Sequence, residues 1–203
     1  MNIGILVSGR GTNMESIIEA SEKGLIKSKV SVVISNKKDA LALSKAKKHG
    51  IQSIYVSPKN KSNEEYDKEI IKILDEYDVD FVVLAGYLRI LSSFFINKYP
   101  MKIINVHPSL LPCFGGKGFY GEHVHRAVLE SGMKFSGCTV HFVTDEVDNG
   151  PIILQKCVEI LDSDTPETLA ERILPKEHEA LIEAISLIEN DKIEIQGKRV
   201  LIK

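Results

Sequence analysis

Several features that mark specialised classes of protein are missing from this sequence. It has three cysteines, Cys113, Cys138 and Cys157, and none of them belongs to a Cys-x-x-Cys pair. An odd number of widely spaced cysteines argues against a disulfide framework and a zinc cage, so we interpret them as ordinary thiols. No apolar run approaches the roughly 18 to 20 residues that cross a bilayer, and the first residues lack a secretory signal pattern. We therefore expect a cytoplasmic protein with no membrane partner.

An excess of charge of one sign is also missing. The chain has 26 basic and 28 acidic residues, which gives a formal net charge of -2. A non-specific nucleic-acid binder would have a broad positive field, so we predict no nucleic-acid partner. With 203 residues, 43% of them hydrophobic, the chain can bury the core of a single domain without metals or disulfides.

The first half of the sequence alternates between short β-branched runs and stretches with helical spacing. The apolar runs predict buried strands, and the stretches between them predict helices, of which 63–77 has an apolar stripe. This alternation predicts an α/β fold with a Rossmann-like, mainly parallel sheet, with helices on both faces and ligand sites beyond the carboxyl ends of the strands. The predicted strands are Ile3–Val7, Val30–Ile34, Ser53–Val56, Phe81–Leu84 and Ile103–Val106, and the predicted helices are 16–23, 40–48 and 63–77.

The pattern changes after Val106. The segment 107–121 has too many prolines and glycines for regular structure, which is typical of a functional loop. Pro166 follows the N-cap Thr165 at the start of a helical region that continues to about Glu189, and Pro175 should bend or break it. Further predictions are a helix at 122–130, an antiparallel strand pair at 137–144 and 151–160, and a small terminal hairpin within 193–202.

A glycine-rich turn, SGRGTN, follows the first predicted strand. The turn can aim backbone N–H groups at a phosphate, aided by the positive end of the helix dipole. It is not a nucleotide-hydrolase phosphate loop, because Arg10 and Gly11 follow Gly9 in place of Gly-Lys-Ser/Thr. It does not match a dinucleotide site either, since the second strand ends in Ser-Asn-Lys-Lys with no acid. A monophosphate site and a tight turn that requires small residues both remain open.

Asn105 and His107 stand two residues apart at the end of the fifth predicted strand. Residues at this spacing point to the same side of a strand. An amide beside an imidazole suits acyl or formyl transfer, in which charge develops on the carbonyl oxygen while the attacking amine loses a proton. The alternative is that His107 caps the strand and Asn105 satisfies a turn.

An acidic loop, TDEVDNG, joins the two strands of the predicted C-terminal pair. It could place a carboxylate against His107, which would raise the pKa of the imidazole and fix its orientation. The alternative is an ordinary solvated turn. A fourth segment, LAGYLRIL, has small residues after a strand that let a ligand approach the backbone; the alternative there is a turn that leads into a helix.

Taken in order, these segments resemble the folate-dependent formyltransferase family over nearly the whole chain. The segment NVHPSLLP, followed some forty residues later by Asp-x-Gly-Pro, is specific to the family and its hydrolase relatives. The motifs that carry the resemblance are SGRGTN, LAGYLRIL, NVHPSLLP and VHFVTDEVDNGP.

The resemblance implies transfer of the formyl group of 10-formyltetrahydrofolate to the amine of 5'-phosphoribosylglycinamide, a small-molecule substrate, with no metal. The catalytic residues would be Asn105, His107 and Asp148, with His107 and Asn105 on the oxyanion and Asp148 orienting and charging His107. The implied substrate-binding residues are Gly11, Thr12 and Asn13 for the phosphate, Gly86, and Leu174, Pro175, Lys176 and Glu177 for the ribose. The implied folate-binding residues are Asn63, Leu88, Arg89, Ile90, Leu91, Asn105, Thr144, Asp145, Glu146, Val147 and Asp148. Residues 1–100 would form a phosphate-binding half, and residues 101–203 a catalytic and folate-binding half, of one domain.

The chain departs from the family pattern at two places. Asn63 stands where the family has an arginine that contacts the folate, and the loop 113–122 is longer and richer in glycine than the usual turn. We interpret His123 and His125 as structural and His141 as a supporting residue of the site. Because the chain ends at Lys203, we expect none of the further domain of the tRNA-formylating relative.

Two other functions remain open at this stage. One is a 10-formyltetrahydrofolate hydrolase or another amine formyltransferase. The other is a non-catalytic, Rossmann-like nucleotide sensor that uses the glycine-rich turn alone. The sequence is compatible with a monomer or a homodimer.

Overall fold

The computed structural model describes residues 1–203, which divide into two compact units, Met1–Asn105 and Val106–Lys203. The strands of unit 1 are β1 (Asn2–Val7), β2 (Lys29–Ser35), β3 (Gln52–Tyr55), β4 (Phe81–Leu84) and β5 (Ile103–His107), whose last two residues belong to unit 2. Its helices are α1 (Thr12–Glu22), α2 (Leu41–Lys48), α3 (Asn63–Glu76) and α4 (Ser93–Lys98).

Unit 1 is built on a parallel sheet with the strand order β3-β2-β1-β4-β5. Every pairing within it is parallel, with Leu6 opposite both Ile34 and Leu84 in the middle of the sheet. Strands in such a sheet are covered on both faces, which explains why they read as nearly continuous apolar runs. Ile3, Ile5 and Leu6 are fully buried. The predicted parallel α/β sheet is confirmed, while the short helix α4 was not predicted.

Unit 2 contains the antiparallel strands of the fold. Strand β6 (Phe135–Phe142) pairs antiparallel with β7 (Ile152–Glu159), and β8 (Ile193–Gln196) pairs antiparallel with β9 (Arg199–Ile202). The predicted hairpins are therefore confirmed. Its helices are α5 (Glu122–Glu130) and α6 (Pro166–Glu189).

Helix α6 begins as predicted but is not broken at Pro175. Thr165 caps the first turn in a capping box with Thr168, and Pro166 occupies the first turn. Of the two predicted effects of Pro175, a bend or a break, the break is wrong, because the helix runs unbroken over 24 residues. An interior proline costs about 3 kcal/mol, whereas each large apolar side chain buried by the helix contributes about 1.5–3 kcal/mol, so the packed face offsets the loss. The large apolar residues of that face are Leu169, Ile173, Leu181 and Ile185. No helix of the structure combines the length and the apolar character that a membrane span requires.

Candidate functional site

The buried imidazole of His107 lies at the end of β5 in unit 2. Its Nε2 is 2.7 Å from the carbonyl oxygen of Phe114. A carbonyl oxygen only accepts, so Nε2 must carry a proton and donate it. The other ring nitrogen, Nδ1, faces the carboxylate of Asp148 at 3.5 Å. This distance is long for a hydrogen bond, and the contact is therefore mainly electrostatic and strengthens when the ring becomes cationic.

Asp148 lies between two histidines. Its Oδ1 is 3.6 Å from Nε2 of His141, while its Oδ2 accepts a hydrogen bond of 2.9 Å from the backbone N–H of Gly116. Nδ1 of His141 is 2.8 Å from the carbonyl oxygen of Phe142, which fixes the orientation of that ring. The carboxylate is thus held from both sides, and the predicted proximity of Asp148 to His107 is present in the structure.

The pKa values of this pair differ from the simple expectation for an isolated ion pair. Burial lowers the pKa of His107 and outweighs the carboxylate of Asp148, which raises it. Burial alone would raise the pKa of Asp148, but the nearby imidazole of His141, the charge of His107 and the Gly116 N–H together hold it below its usual value. Asp148 raises the pKa of His107, as expected. Burial lowers it by more, so the net shift is downward.

Glycine is required where the chain passes closest to Asp148. A Cβ at Gly115 would lie 2.5 Å from Cδ2 of Leu111 and 3.2 Å from Cβ of Asp148. A Cβ at Gly150 would lie 1.8 Å from the carbonyl oxygen of Phe142, which no side chain tolerates. Asp148 itself has a φ of 55°, in the left-handed region that aspartate enters more readily than most residues. The backbone around the carboxylate is therefore closely constrained.

Asn105 precedes His107 by two residues on β5 and is half-buried. The alternation of a strand gives the two residues the same face of β5. Asn105 pairs in register with Leu84 of β4 at the carboxyl end of the parallel sheet, where ligand sites of this architecture are found. Its place on the strand agrees with the prediction, and its role in catalysis stays a prediction.

The glycine-rich turn leads from β1 into α1 as predicted. Gly11 has a φ of 72°, and a Cβ there would lie 2.6 Å from Cβ of Ala42. Gly11 is the N-cap of α1, and no side chain caps this end of the helix. The first backbone N–H groups of a helix have no partner within the helix, so this end of α1 is suited to an anion.

The loop after β4 carries the predicted Leu88–Leu91 segment in unit 1. Gly86 has a φ of 69°, and residues 88–91 themselves form no helix. The loop leads into α4 at Ser93, so the alternative of a turn that precedes a helix stays open. Leu88 and Ile90 are both 52% exposed, so apolar surface is available to a ligand here. Arg89 stacks on the ring of Tyr66 at 4.5 Å from its centroid, which fixes the direction of its guanidinium.

Asn63 is tied to this loop. Its Oδ1 accepts a hydrogen bond of 2.9 Å from Nη2 of Arg89, and its Nδ2 donates one of 2.8 Å to the carbonyl of Ile90. Ser62 caps α3 immediately before it, in a capping box with Glu65. Asn63 therefore positions Arg89 and the loop backbone.

Comparison with known proteins places the chain in a family. The family described as "Formyl transferase" matches residues 1–185. The chain is 43% identical over 179 residues to phosphoribosylglycinamide formyltransferase of Escherichia coli (strain K12), covering 88% of this chain and 82% of that protein. The chain belongs to the formyl transferase family.

Two further relatives agree with this assignment. A chloroplastic phosphoribosylglycinamide formyltransferase of Arabidopsis thaliana is 42% identical over 194 residues, 94% of this chain; the chain spans 66% of that relative, slightly less than two thirds. The crystal structure of glycinamide ribonucleotide transformylase 1 from Symbiobacterium toebii superimposes with a TM-score of 0.95 at 43% identity, covering 100% of this chain and 93% of the other. The predicted family and fold class are confirmed.

The other predicted binding segments of this formyl transferase lie in unit 2. Glu177 is the buried member of the predicted ribose-binding segment on α6, which contains Leu174, Pro175, Lys176 and Glu177. Burial raises the pKa of Cys138 to about 12, and the charge of Glu177 adds to this effect. In the segment Thr144–Asp148, the carbonyl of Glu146 accepts hydrogen bonds from Thr144 Oγ1 at 3.3 Å and from the N–H of Asn149 at 3.3 Å. The segment therefore has its own turn structure.

Sequence reasoning missed the groups that hold Asp148 and His107 in place. The carbonyl of Phe114 and the N–H of Gly116 come from the loop whose conformation was left open. The adjacent glycines 115 and 116 were an available signal, because glycine marks close approach of the backbone. His125, interpreted as structural, is buried on α5, where burial and then the charge of His107 lower its pKa.

Proposed function

We propose that this protein transfers the formyl group of 10-formyltetrahydrofolate to the amine of 5'-phosphoribosylglycinamide, a step of purine biosynthesis. The observation that carries the proposal is the buried arrangement of His107 and Asp148, braced by His141 and by the backbone of Gly116. The names of the relatives at 42% and 43% identity support the choice of acceptor.

The reaction forms a C–N bond between the formyl carbon and the substrate amine and breaks the bond between that carbon and N10 of the folate. The amine nitrogen loses a proton, and N10 gains one. Negative charge develops on the formyl oxygen, and we assign two groups that stabilise it. One is the amide of Asn105, and the other is His107, whose Nε2–H would exchange the carbonyl of Phe114 for the formyl oxygen. Donors fixed in a water-poor site stabilise such charge more strongly than donors in water, because they need not reorient during the reaction.

Burial of His107 is useful to this mechanism. A lowered pKa favours the neutral ring at rest, because burial disfavours the cationic form. An oxyanion beside the ring would raise its proton affinity, and Asp148 at 3.5 Å would then stabilise the imidazolium. Asp148 also orients the ring and helps a water molecule carry the proton from the amine. The scheme uses no metal ion.

The remaining predicted residues bind the two substrates in this proposal. The backbone of Gly11, Thr12 and Asn13, with Gly86, receives the phosphorylated end of the acceptor. Glu177 accepts hydrogen bonds from the ribose hydroxyls, within the segment Leu174, Pro175, Lys176 and Glu177. The folate lies against two segments, one made of Asn63 and Leu88–Leu91 and the other of Thr144–Asp148. We further propose a cytoplasmic enzyme that acts as a monomer or a homodimer and binds no nucleic acid.

The test is a formyl-transfer assay with purified protein, 10-formyltetrahydrofolate and the acceptor, followed by absorbance of the deformylated folate. We expect turnover that requires 5'-phosphoribosylglycinamide and yields one formylated acceptor per folate released. Release of formate at the same rate without the acceptor would contradict the proposal and favour a hydrolase. Absence of both activities in folded protein would contradict enzymatic formyl transfer altogether.

A further inference from the structure

A cleft of about 800 Å³ lies in unit 1 among the loops that follow strands β1, β2, β3 and β4. This volume falls within the roughly 300–1,000 Å³ typical of small-molecule sites. Its lining contains five cationic side chains and one carboxylate, Asp39, an excess of four positive charges in a chain whose net charge is -2. The cations are Arg10, Lys37, Lys38, Lys59 and Arg89.

The side chains of four of these cations have neither a carboxylate nor a hydrogen-bond partner within the protein, whereas Arg89 donates a hydrogen bond to Asn63. Lys45, outside the cleft, is paired by contrast, with its Nζ 2.7 Å from the carboxylate of Glu15. Mutual repulsion of unpaired cations disfavours the folded state slightly, and a polyanion bound among them would relieve it. The four are Arg10, Lys37, Lys38 and Lys59, each exposed.

The backbone that supports the cleft is cross-linked. Ser8 Oγ donates a hydrogen bond of 2.7 Å to Oδ1 of Asn36 and accepts one of 2.9 Å from the N–H of Leu88, which joins the loops after β1, β2 and β4. The N–H of Ala42 donates to the carbonyl of Gly9 at 3.1 Å. A site whose walls are already fixed loses less entropy when a ligand binds.

One wall of the cleft is apolar. Tyr55, the last residue of β3, is 40% exposed, and Leu41, the first residue of α2, is 58% exposed. Pro58 adds further apolar surface to the lining. An exposed tyrosine ring offers a stacking surface for a nucleobase, with a hydroxyl group that can stay in water. Cations beside an aromatic ring match a ligand that is polyanionic at one end and aromatic at the other.

We propose that this cleft binds a nucleoside di- or triphosphate, with the base against Tyr55 and the phosphates on Lys37, Lys38 and Lys59. An excess of four positive charges matches a polyphosphate better than a monophosphate, which would leave several ammonium groups without an anion. In a dinucleotide-binding fold, an acidic residue at the end of the second strand binds the ribose. Here β2 is followed by Asn36, Lys37 and Lys38, so cations stand in place of that acid. The lining adjoins, at Arg10, the turn assigned to the acceptor phosphate, and it includes Arg89, which the formyl-transfer proposal assigns to the folate. The contacts proposed for the nucleotide, Tyr55, Lys37, Lys38 and Lys59, belong to neither assignment.

The test is isothermal titration calorimetry of the full chain with ATP and GTP. We expect micromolar binding of at least one of them, weakened at least tenfold in the double variant Lys38→Glu, Lys59→Glu. The matched control is Lys47→Glu, Lys48→Glu, which makes the same charge change at two exposed, unpaired lysines of α2 outside the cleft. An equal loss in the control would overturn the site, because it would show only a general effect of net charge. Circular dichroism and the thermal midpoint verify that both variants fold.

A second pair of variants tests the aromatic wall. Tyr55→Leu should weaken nucleotide binding about fivefold or more, whereas Tyr55→Phe should preserve it, because stacking contributes about 1–3 kcal/mol per base. Inorganic tripolyphosphate should bind more weakly than the nucleotide and equally to both variants. Three outcomes overturn the proposal: no nucleotide binding at millimolar concentration, tripolyphosphate binding as tight as the nucleotide, or tighter binding of a penta-γ-glutamate, which would identify the cleft as a polycarboxylate site.

Discussion

The buried histidines of unit 2 and the exposed cations of unit 1 use charge in opposite ways. His107 and His141 are 4% and 2% exposed and contact one carboxylate that is itself held by a backbone N–H. The lysines of the cleft have no protein partner and remain in water. In a water-poor site each interaction is strong and removal of one group costs several kcal/mol, whereas each exposed charge contributes little alone and several must act together. Loss of a single group should therefore strongly affect the chemistry at unit 2. Binding at unit 1 should depend on the shape of the backbone and on the summed charge of several groups.

The largest effect that this contrast predicts is at Asp148. Asp148→Asn should lower the rate of formyl transfer by on the order of a hundredfold or more, about 2.7 kcal/mol, because the amide cannot stabilise a cationic His107. The measurement is kcat in the acceptor-dependent assay, with circular dichroism to verify the fold.

The matched control for Asp148 is Asp162→Asn. It makes the same chemical change at a fully exposed carboxylate of unit 2, and its rate should equal that of the wild type. A wild-type rate for Asp148→Asn would remove the carboxylate from the mechanism and with it the contrast between the two regions.

Backbone shape at the glycine-rich turn is the next test. Gly11→Ala should raise the KM for the phosphorylated acceptor about tenfold and destabilise the fold by about 1–3 kcal/mol, because its φ is 72° and the added Cβ would meet Ala42. Gly9→Ala is the control, since nothing lies within 4 Å of a Cβ at that position. Steady-state kinetics and thermal denaturation measure both effects. Equal behaviour of the two variants would show that the turn tolerates side chains throughout.

The sequence predicted unit 1 better than unit 2, for physical reasons. Parallel strands and the glycine-rich turn follow from local patterns, because β-branched runs and glycines act within a few residues. The approach of Asp148 to His107 was predicted and is present, while the catalytic roles of Asn105, His107 and Asp148 stay predictions. The bracing of Asp148 by Gly116 spans 32 positions of the chain, and no local pattern encodes such a contact. Pro175 misled for a related reason, since the packed face of α6 outweighs a local preference.

A smaller effect is expected at Asn63, whose side chain holds, by hydrogen bonds, the loop Leu88–Leu91 that we propose contacts the folate. Asn63→Ala removes the bonds to Arg89 and Ile90 and should raise the KM for the folate about threefold, with kcat unchanged. Asn63→Asp keeps the acceptor for Arg89, so its KM for the folate should lie between those of the wild type and of Asn63→Ala. Asn97→Ala, on the exposed surface of α4, controls for loss of an amide. A change in kcat with no change in KM would argue that Asn63 acts on the chemistry and not on binding.

The smallest effect concerns stability as a function of pH. The pKa of His107 is lower in the folded protein than in the unfolded chain, so the unfolded chain takes up the proton first as the pH falls. The stability that the neutral ring contributes is thus fully present above its usual pKa of about 6.5 and declines as the pH drops below it. His107→Asn should reduce the fall in the thermal midpoint between pH 7.5 and pH 5.5, whereas His123→Asn, at an exposed position of α5, should not. Asp148 changes stability in the same direction at lower pH, because its pKa is also lowered and its contribution disappears as the pH falls below the usual value of an aspartate. A midpoint curve for His107→Asn that parallels the wild type would mean that His107 is as easily protonated in the folded protein as in water, and the burial on which the contrast depends would then have no energetic consequence.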